Sequence, residues 1–270
     1  MSEDEPFLRA ILTNPDDRVS RLVYADWLDE RDDPKAEFIR LEAQLAELSP
    51  GHKETQVLRQ RRRELQAQLP AWWLAILGGL RATRSVPDPA RVGAVTEMLG
   101  RPVQFVDDKG YTITITAAAT SGFTDAVAYL EERSQWRRRR WADPFEWESD
   151  FHDIHYYLRI RGKDGREVAW EPKTYNPFFG CDVQFMEWYG DAVLFIYEEK
   201  HDVYVSRFGL NEPARFHAIG DNWILDGCQL AHVGYRTEVQ RLSIPDLKEL
   251  PPLSEAEAIQ LDLLPTRPGE

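Results

Sequence analysis

The segment Asp150–His155, with the sequence DFHDIH, brings histidine and carboxylate side chains close together in the chain. Both residue types can bind a metal ion, and a histidine can transfer protons near neutral pH. His152, Asp153 and His155 therefore define one hypothesis, a metal-dependent hydrolase or nuclease-like enzyme. Their spacing matches no established zinc motif, and alternation along a strand would place His152 and His155 on opposite faces. The pattern favours structural or solvent-exposed roles for these residues.

A second candidate pair is formed by His201 and Asp202, which could act as a general base and the carboxylate that orients it. The pair lies at the predicted end of a hairpin, where exposed polar residues are expected without a catalytic role. The sequence contains no glycine-rich phosphate loop, nucleophile elbow or paired metal motif. We therefore expect no catalytic residue, no metal site and no cofactor, and the sequence favours a protein without enzymatic activity.

The run Trp136–Trp141, with the sequence WRRRRW, places four arginines between two tryptophans. Cations interleaved with aromatic side chains are typical of sites that bind single-stranded nucleic acid. Arg137–Arg140 therefore support a further hypothesis, a nucleic-acid-associated accessory protein. Acidic residues crowd the run on both sides, so intramolecular ion pairs or a solvated surface are the simpler interpretation.

The segment Glu171–Cys181, with the sequence EPKTYNPFFGC, is a predicted loop rich in aromatic residues. Exposed aromatic side chains on a loop between strands indicate a partner-binding surface, although a loop folded over the sheet would use the same residues. The candidate partner-binding residues of the chain are therefore Trp136, Arg138, Tyr175, Phe178 and Phe179.

The elements that must position these residues change type along the chain. Helical periodicity predicts four helices between Glu5 and Gln68. In the second helix, which Asp16 or Asp17 caps, Tyr24 is expected on the flank. The residues expected to face inward recur at helical spacing, and they are Val19, Leu22, Val23, Trp27 and Leu28.

Beyond Gly100 the hydrophobic period shortens towards two, which predicts strands and hairpins. One further helix is expected from Ser121 to Arg133, and a capping box of Ser254 with Glu257 predicts a short C-terminal helix. The expected fold class is α+β, with a small all-helical domain over residues 1–84. A strand-rich, mainly antiparallel domain with a few helices follows over residues 85–270, and its tail from Thr266 onward is expected to be disordered.

The N-terminal motifs FLRAILTNPDD and RLVYADWLDERDDPKAEFIRLEAQL resemble the bacterial repeat-companion domain. This is a short N-terminal module of paralogous families in planctomycetes and myxobacteria, and the resemblance covers about residues 5–45. It implies a docking or adaptor role, because such modules commonly precede repeat regions. No leucine-rich repeat follows in this chain.

The composition and charge of the chain disfavour several classes of protein. A formal net charge of −13 disfavours a general nucleic-acid or anionic-membrane binder. The start MSEDEPF lacks the features of a signal peptide, and the longest apolar run, Ala71–Leu80, is too short for a membrane span. Cys181 and Cys228 form no disulfide framework and are interpreted as small buried residues, so we expect a cytoplasmic protein.

Together these patterns predict a non-catalytic cytoplasmic protein that docks onto another protein, within a bacterial multi-protein system. Nucleic acid and membranes are not the expected partners.

Overall fold

The computed structural model of this protein describes residues 3–48, 53–82, 88–139, 149–171, 182–199, 202–220, 223–227, 229–233, 238–244, 246–260 and 263. The chain divides into two compact units. The first unit combines Met1–Thr83 with Asp221–Glu270, and the second unit is Arg84–Gly220. The sequence predicted one boundary near residue 85 and no second division near residue 220.

The fold class is α+β, as the sequence predicted. The helices are α1 (Glu5–Thr13), α2 (Arg18–Asp29), α3 (Lys35–Glu47), α4 (Lys53–Gln66), α5 (Ala71–Ile76), α6 (Pro89–Leu99) and α7 (Glu255–Gln260). The strands are β1 (Arg81–Ala82), β2 (Gln104–Val106), β3 (Thr112–Thr120), β4 (Val127–Arg139), β5 (Ser149–Arg161), β6 (Glu167–Trp170), β7 (Asp182–Tyr189), β8 (Ala192–Glu199), β9 (Asp202–Gly209), β10 (Glu212–Ala218), β11 (Trp223–Asp226), β12 (Gln229–Val233), β13 (Glu238–Ser243) and β14 (Glu249–Ser254). None of the described helices is both long and apolar enough to cross a membrane.

The α2–α3 hairpin of the first unit is held by caps and ion pairs that the sequence encodes. The Asp17 carboxylate accepts from the backbone N–H of Val19 (3.0 Å), which caps α2 as predicted. Asp33 accepts from the backbone N–H of Lys35 (3.0 Å) at the start of α3. Arg40 on α3 donates to Asp26 (2.8 Å) and also contacts Asp29, so one guanidinium joins the two helices.

The buried face of α2 differs from the predicted one. Val19 and Val23 are 69% and 50% exposed, whereas Tyr24 is completely buried. The prediction was wrong because it ranked the valines by spacing alone. The Tyr24 ring stacks on Phe7 and lies near Trp73, and burying these large aromatic rings removes more apolar surface from water than burying two valines.

The sheet of the first unit has the strand order β1-β11-β12-β13-β14, and every pairing in it is antiparallel. At its end, Ser254 and Glu257 form the predicted capping box. The Ser254 N–H donates to Glu257 (2.9 Å), and the Glu257 N–H donates to the Ser254 hydroxyl oxygen (3.3 Å). This pair begins α7, as the sequence predicted.

The second unit contains α6 and an antiparallel sheet with the order β2-β3-β4-β5-β6. The helix packs on one face of this sheet through Val92 and Val95, against Ile115 and Val127 among others. The predicted helix from Ser121 to Arg133 is wrong, since most of this stretch belongs to strand β4. Every residue from Ala126 to Glu131 is buried, so both faces of the strand are covered. Covered faces remove the apolar–polar alternation by which a strand is recognised.

A second sheet of this unit has the order β10-β9-β8-β7. Apolar residues occupy both faces of the stretch Val193–Tyr197, a pattern that predicts a central strand covered on both sides, and the structure confirms this for β8. Strand β8 lies between β7 and β9, and its five residues from Val193 to Tyr197 are all buried. The β7–β8 turn uses Gly190, whose φ of 61° is the left-handed conformation that glycine adopts without strain. The indole N–H of Trp188 on β7 donates to the carbonyl oxygen of Ala119 on β3 (3.0 Å).

Candidate functional site

Strands β4 and β5 extend beyond their neighbours in the sheet. The register of β4 with β5 runs from Val127–Arg161 to Arg139–Ser149. Strand β3 pairs with β4 only as far as Ser134, and β6 pairs with β5 only as far as Leu158. In the part of the chain that the structure describes, Gln135–Arg139 and Ser149–Asp153 therefore pair with each other alone as strands. We call these ten paired residues the ribbon.

Trp136 on the ribbon is 70% exposed. In the register it lies opposite His152, and Arg137, Arg138 and Arg139 follow it along β4. A tryptophan has a large apolar surface that is stabilising only where something covers it. The ribbon therefore presents a largely exposed indole that precedes a run of arginines in the chain.

Of the other predicted partner-binding residues, the structure describes the backbone of one and leaves three outside its described range. Arg138 lies in β4 and is paired in register with Asp150 of β5. Tyr175, Phe178 and Phe179 lie outside the described residues, so the predicted aromatic loop stays a prediction. Also outside the described residues are Arg140, His201, Cys181, Cys228 and the tail from Thr266 onward, and what was expected of them stays a prediction.

Asp153 and His155 come together on one face of β5. His155 Nε2 lies 3.1 Å from Asp153 Oδ1, and His155 Nδ1 lies 3.2 Å from Glu171 Oε1. The hydroxyl of Tyr111 donates to Asp153 Oδ2 over 3.3 Å. Glu171 was not predicted as a partner of this histidine, because Glu171 follows β6 and is sixteen residues away in the chain.

This polar cluster has little capacity to bind a metal ion through its histidine. Each ring nitrogen of His155 already faces a carboxylate oxygen, so neither nitrogen is directed at a common centre with other ligands. The side chain of His152 lies outside the part of the chain that the structure describes, so its expected position on the opposite face from His155 stays a prediction. Among the described residues, no group of three or more histidine, cysteine or acidic side chains could hold a metal ion.

A network of arginines and carboxylates lies on the same face of the sheet as His155. Glu131 on β4 is 1% exposed, and it accepts from Arg133 (2.7 Å) and from Arg159 of β5 (3.2 Å). Arg159 also donates to Glu167 of β6 (2.6 Å), so it joins three strands. A buried carboxylate is stable only when its charge is paired in this way.

The electrostatics of Glu167 follow from the same contacts. Burial alone would raise the pKa of Glu167, but hydrogen bonds from the Tyr129 hydroxyl (2.8 Å) and from Arg159 lower it below its ordinary value. Burial, together with the neighbouring Glu167 carboxylate, raises the pKa of Tyr129. Glu167 is thus held ionised and Tyr129 protonated, so the network joins β4, β5 and β6 through fixed charges rather than exchanging protons.

The sequence contained a partial signal for this network. Glu131 and Arg133 occupy alternate positions in β4, and Arg159 lies on the facing strand. Once the stretch from Ser121 to Arg133 is interpreted as a helix, this alternation is no longer visible. The incorrect helix therefore concealed the charged face as well as the strand.

Comparisons of the chain with protein-family models, with curated proteins and with solved structures found no match. The resemblance of residues 5–45 to the repeat-companion domain therefore stays a prediction.

Proposed function

We propose that this chain is a non-catalytic, cytoplasmic protein-interaction protein, a docking component of a bacterial multi-protein system, and that the ribbon around Trp136 is its binding surface. The observation that carries the proposal is the 70% exposure of Trp136 on a pair of strands that extends beyond its sheet. Tryptophan and arginine are the residue types most enriched at the energetic centres of protein interfaces.

The free energy that would be gained by covering the exposed part of Trp136 supports a protein partner. A tryptophan buries ~150–250 Å² when it is fully covered. At about 25 cal/mol per Å², covering the exposed part of Trp136 contributes roughly 3–4 kcal/mol to binding. That gain is enough for one side chain to act as the anchor of an interface.

Two other hypotheses receive less support from the geometry. The hydrolase hypothesis relies on the histidines of β5, and both ring nitrogens of His155 contact carboxylates. The nucleic-acid hypothesis relies on the arginine run, and the chain as a whole carries a net charge of −13, which repels a phosphate backbone.

The test is affinity capture with the full chain from a native lysate of the source organism. We expect a protein retained in stoichiometric amount by the unaltered chain and lost with Trp136→Ala. The matched control is Val106→Ala, since Val106 is 67% exposed on β2 of the same sheet but lies away from the ribbon. Absence of a stoichiometric protein, or equal retention by both variants, would contradict the proposal.

A further inference from the structure

Helix α2 of the first unit has apolar residues on two opposite sides. Tyr24, Ala25 and Leu28 are buried on one side. Val19 and Val23 lie one helical turn apart on the other side, where they are 69% and 50% exposed. A helix that is apolar on two sides is normally covered on both, whereas the exposure of these valines shows that this chain covers only one.

Trp27 continues the line of the two valines by one further turn of α2. Its side chain is partly buried, and the guanidinium carbon of Arg31 lies 3.7 Å from the centroid of its ring. Arg31 therefore covers the C-terminal end of the line, while Val19 and Val23 remain in contact with solvent. We call the exposed side of α2 around these two residues the valine face.

The charged residues exposed on α2 and at its C-terminal cap are mainly acidic. They are Arg18, Asp26, Asp29 and Glu30. Arg18 pairs with Glu47 (2.6 Å) and so adds no net charge. The three carboxylates pair with two arginines, one of which serves both aspartates, so the valine face keeps a negative charge.

The negative sign also holds over larger parts of the chain. Residues 1–48, which contain α1, α2 and α3, have 13 acidic and 6 basic residues, a net charge of −7. The first unit as a whole, including the arginines of α4, has 24 acidic and 16 basic residues, a net charge of −8. Nucleic acid, an anionic membrane or a second copy of this chain would bring further negative charge to this surface, whereas a basic partner is attracted to it.

We propose that the valine face is a second docking surface, and that its occupant is a basic amphipathic helix of another protein. Apolar side chains four residues apart on one helix form a ridge against which a second helix packs. The incoming helix covers Val19 and Val23 with its apolar side and places lysines or arginines beside the carboxylates of α2. The valine face belongs to the first unit and shares no residue with the ribbon, so this inference is independent of the proposed function.

The probe is a fluorescently labelled helical peptide of leucine and lysine, with leucines at helical spacing along one side, and binding to the full chain is measured by fluorescence polarisation. A glutamate–leucine peptide of the same pattern and a lysine–glutamine peptide without apolar residues are measured in parallel. The variants are Val19→Gln combined with Val23→Gln, and Glu30→Lys. The matched controls are Val57→Gln, since Val57 is 71% exposed on α4, and Glu97→Lys, since Glu97 is exposed on α6. Circular dichroism of each variant verifies that it is folded.

We expect saturable binding of the lysine–leucine peptide. The double valine variant should weaken it at least about tenfold, because the apolar contact is lost, and Glu30→Lys at least about threefold, because one charge is reversed. Each control should change binding by less than about twofold. In methyl NMR spectra, the signals of Val19 and Val23 should shift as the peptide is added, and those of Val57 should not.

Other results would overturn the inference. It fails if the lysine–leucine peptide is not bound, or is bound equally by the valine-face and control variants. Equal binding of the lysine–glutamine peptide would mean that charge alone is recognised, and preference for the glutamate–leucine peptide would contradict the sign of the charge. A dimer of the unaltered chain in sedimentation, abolished by the double valine variant, would assign the valine face to a second copy instead.

Discussion

The indole N–H of Trp73 donates to the hydroxyl oxygen of Tyr24 over 3.1 Å, and both side chains are completely buried. Tyr24 in turn donates to Asp4 Oδ2 over 2.9 Å. Burial, offset in part by the hydrogen bond from Trp73, raises the pKa of Tyr24, so its hydroxyl keeps its proton. These two hydrogen bonds join the segment before α1 to α2 and α5, and they explain why Tyr24 rather than Val23 faces inward.

Tyr24→Phe should destabilise the first unit. The substitution keeps the ring but removes the acceptor of Trp73 and the donor to Asp4, and an unsatisfied buried N–H costs about 1–3 kcal/mol. The measurement is the free energy of unfolding in denaturant. Asp4→Asn, which keeps an acceptor for Tyr24, should cost less. An unfolding curve for Tyr24→Phe that matches the curve of the unaltered protein would show that water replaces these two hydrogen bonds.

Substitutions on the two faces of α2 should differ strongly in their effect on stability. Leu28 is 1% exposed, so Leu28→Ala should cost about 2–5 kcal/mol of unfolding free energy through lost burial and a cavity. Val23→Gln lies on the exposed face and should change stability by less than about 0.5 kcal/mol. Thermal unfolding of both variants tests this. A large loss for Val23→Gln would support the face predicted from spacing instead.

Two glycine positions provide a matched pair of alanine substitutions. A Cβ at Gly79 would lie 2.3 Å from Cζ of Phe38, whose ring packs against Trp73, so Gly79→Ala should cost about 1–3 kcal/mol. A Cβ at Gly93 within α6 would have no atom within 4 Å. Gly93→Ala should therefore stabilise the protein by about 0.5–1 kcal/mol through helix propensity. The melting temperature should move in opposite directions for the two variants. A rise for Gly79→Ala would contradict the packing described around Phe38, and a fall for Gly93→Ala would contradict the open space at Gly93.

Glu187 should make stability depend on pH. Burial raises its pKa above the ordinary value of 4.5, and the hydrogen bond from Arg91 (2.8 Å) offsets only part of this. The folded protein therefore holds this proton more tightly than the unfolded chain. Its contribution to stability is fully present below pH 4.5 and is lost as the pH rises through the raised pKa.

Glu187→Gln removes this titration. The difference in unfolding free energy between the unaltered protein and the variant should decrease as the pH rises above 4.5. Denaturant unfolding over a series of pH values measures it. Parallel stability curves for the two proteins would mean that Arg91 compensates fully for the burial of the carboxylate.

Local signals in the sequence were sufficient for helix caps. Asp17 and the pair Ser254–Glu257 act as predicted, because each cap depends on residues within a few positions of it. Strand β8 was recognised as central from its own apolar residues. These features need no knowledge of the remaining chain.

Other features depend on contacts between distant residues, and these were not predictable from local pattern. The orientation of α2 is decided by Trp73, and the partner of His155 is Glu171 beyond the next turn. Strand β4 lacks the alternation because both of its faces are covered, one of them by α6. The exposure of Trp136 was anticipated as a candidate, whereas the extension of β4 and β5 beyond their neighbours became visible only through the strand register.

The division of the first unit between the two ends of the chain has a consequence for synthesis on the ribosome. Strand β1 pairs with β11, so its hydrogen-bonding partner is translated only after the whole of Arg84–Gly220. The inserted unit has all its residues before translation reaches β11, whereas β1 remains without its strand partner until then. A product that stalls before Trp223 would therefore leave the hydrogen bonds between β1 and β11 unmade.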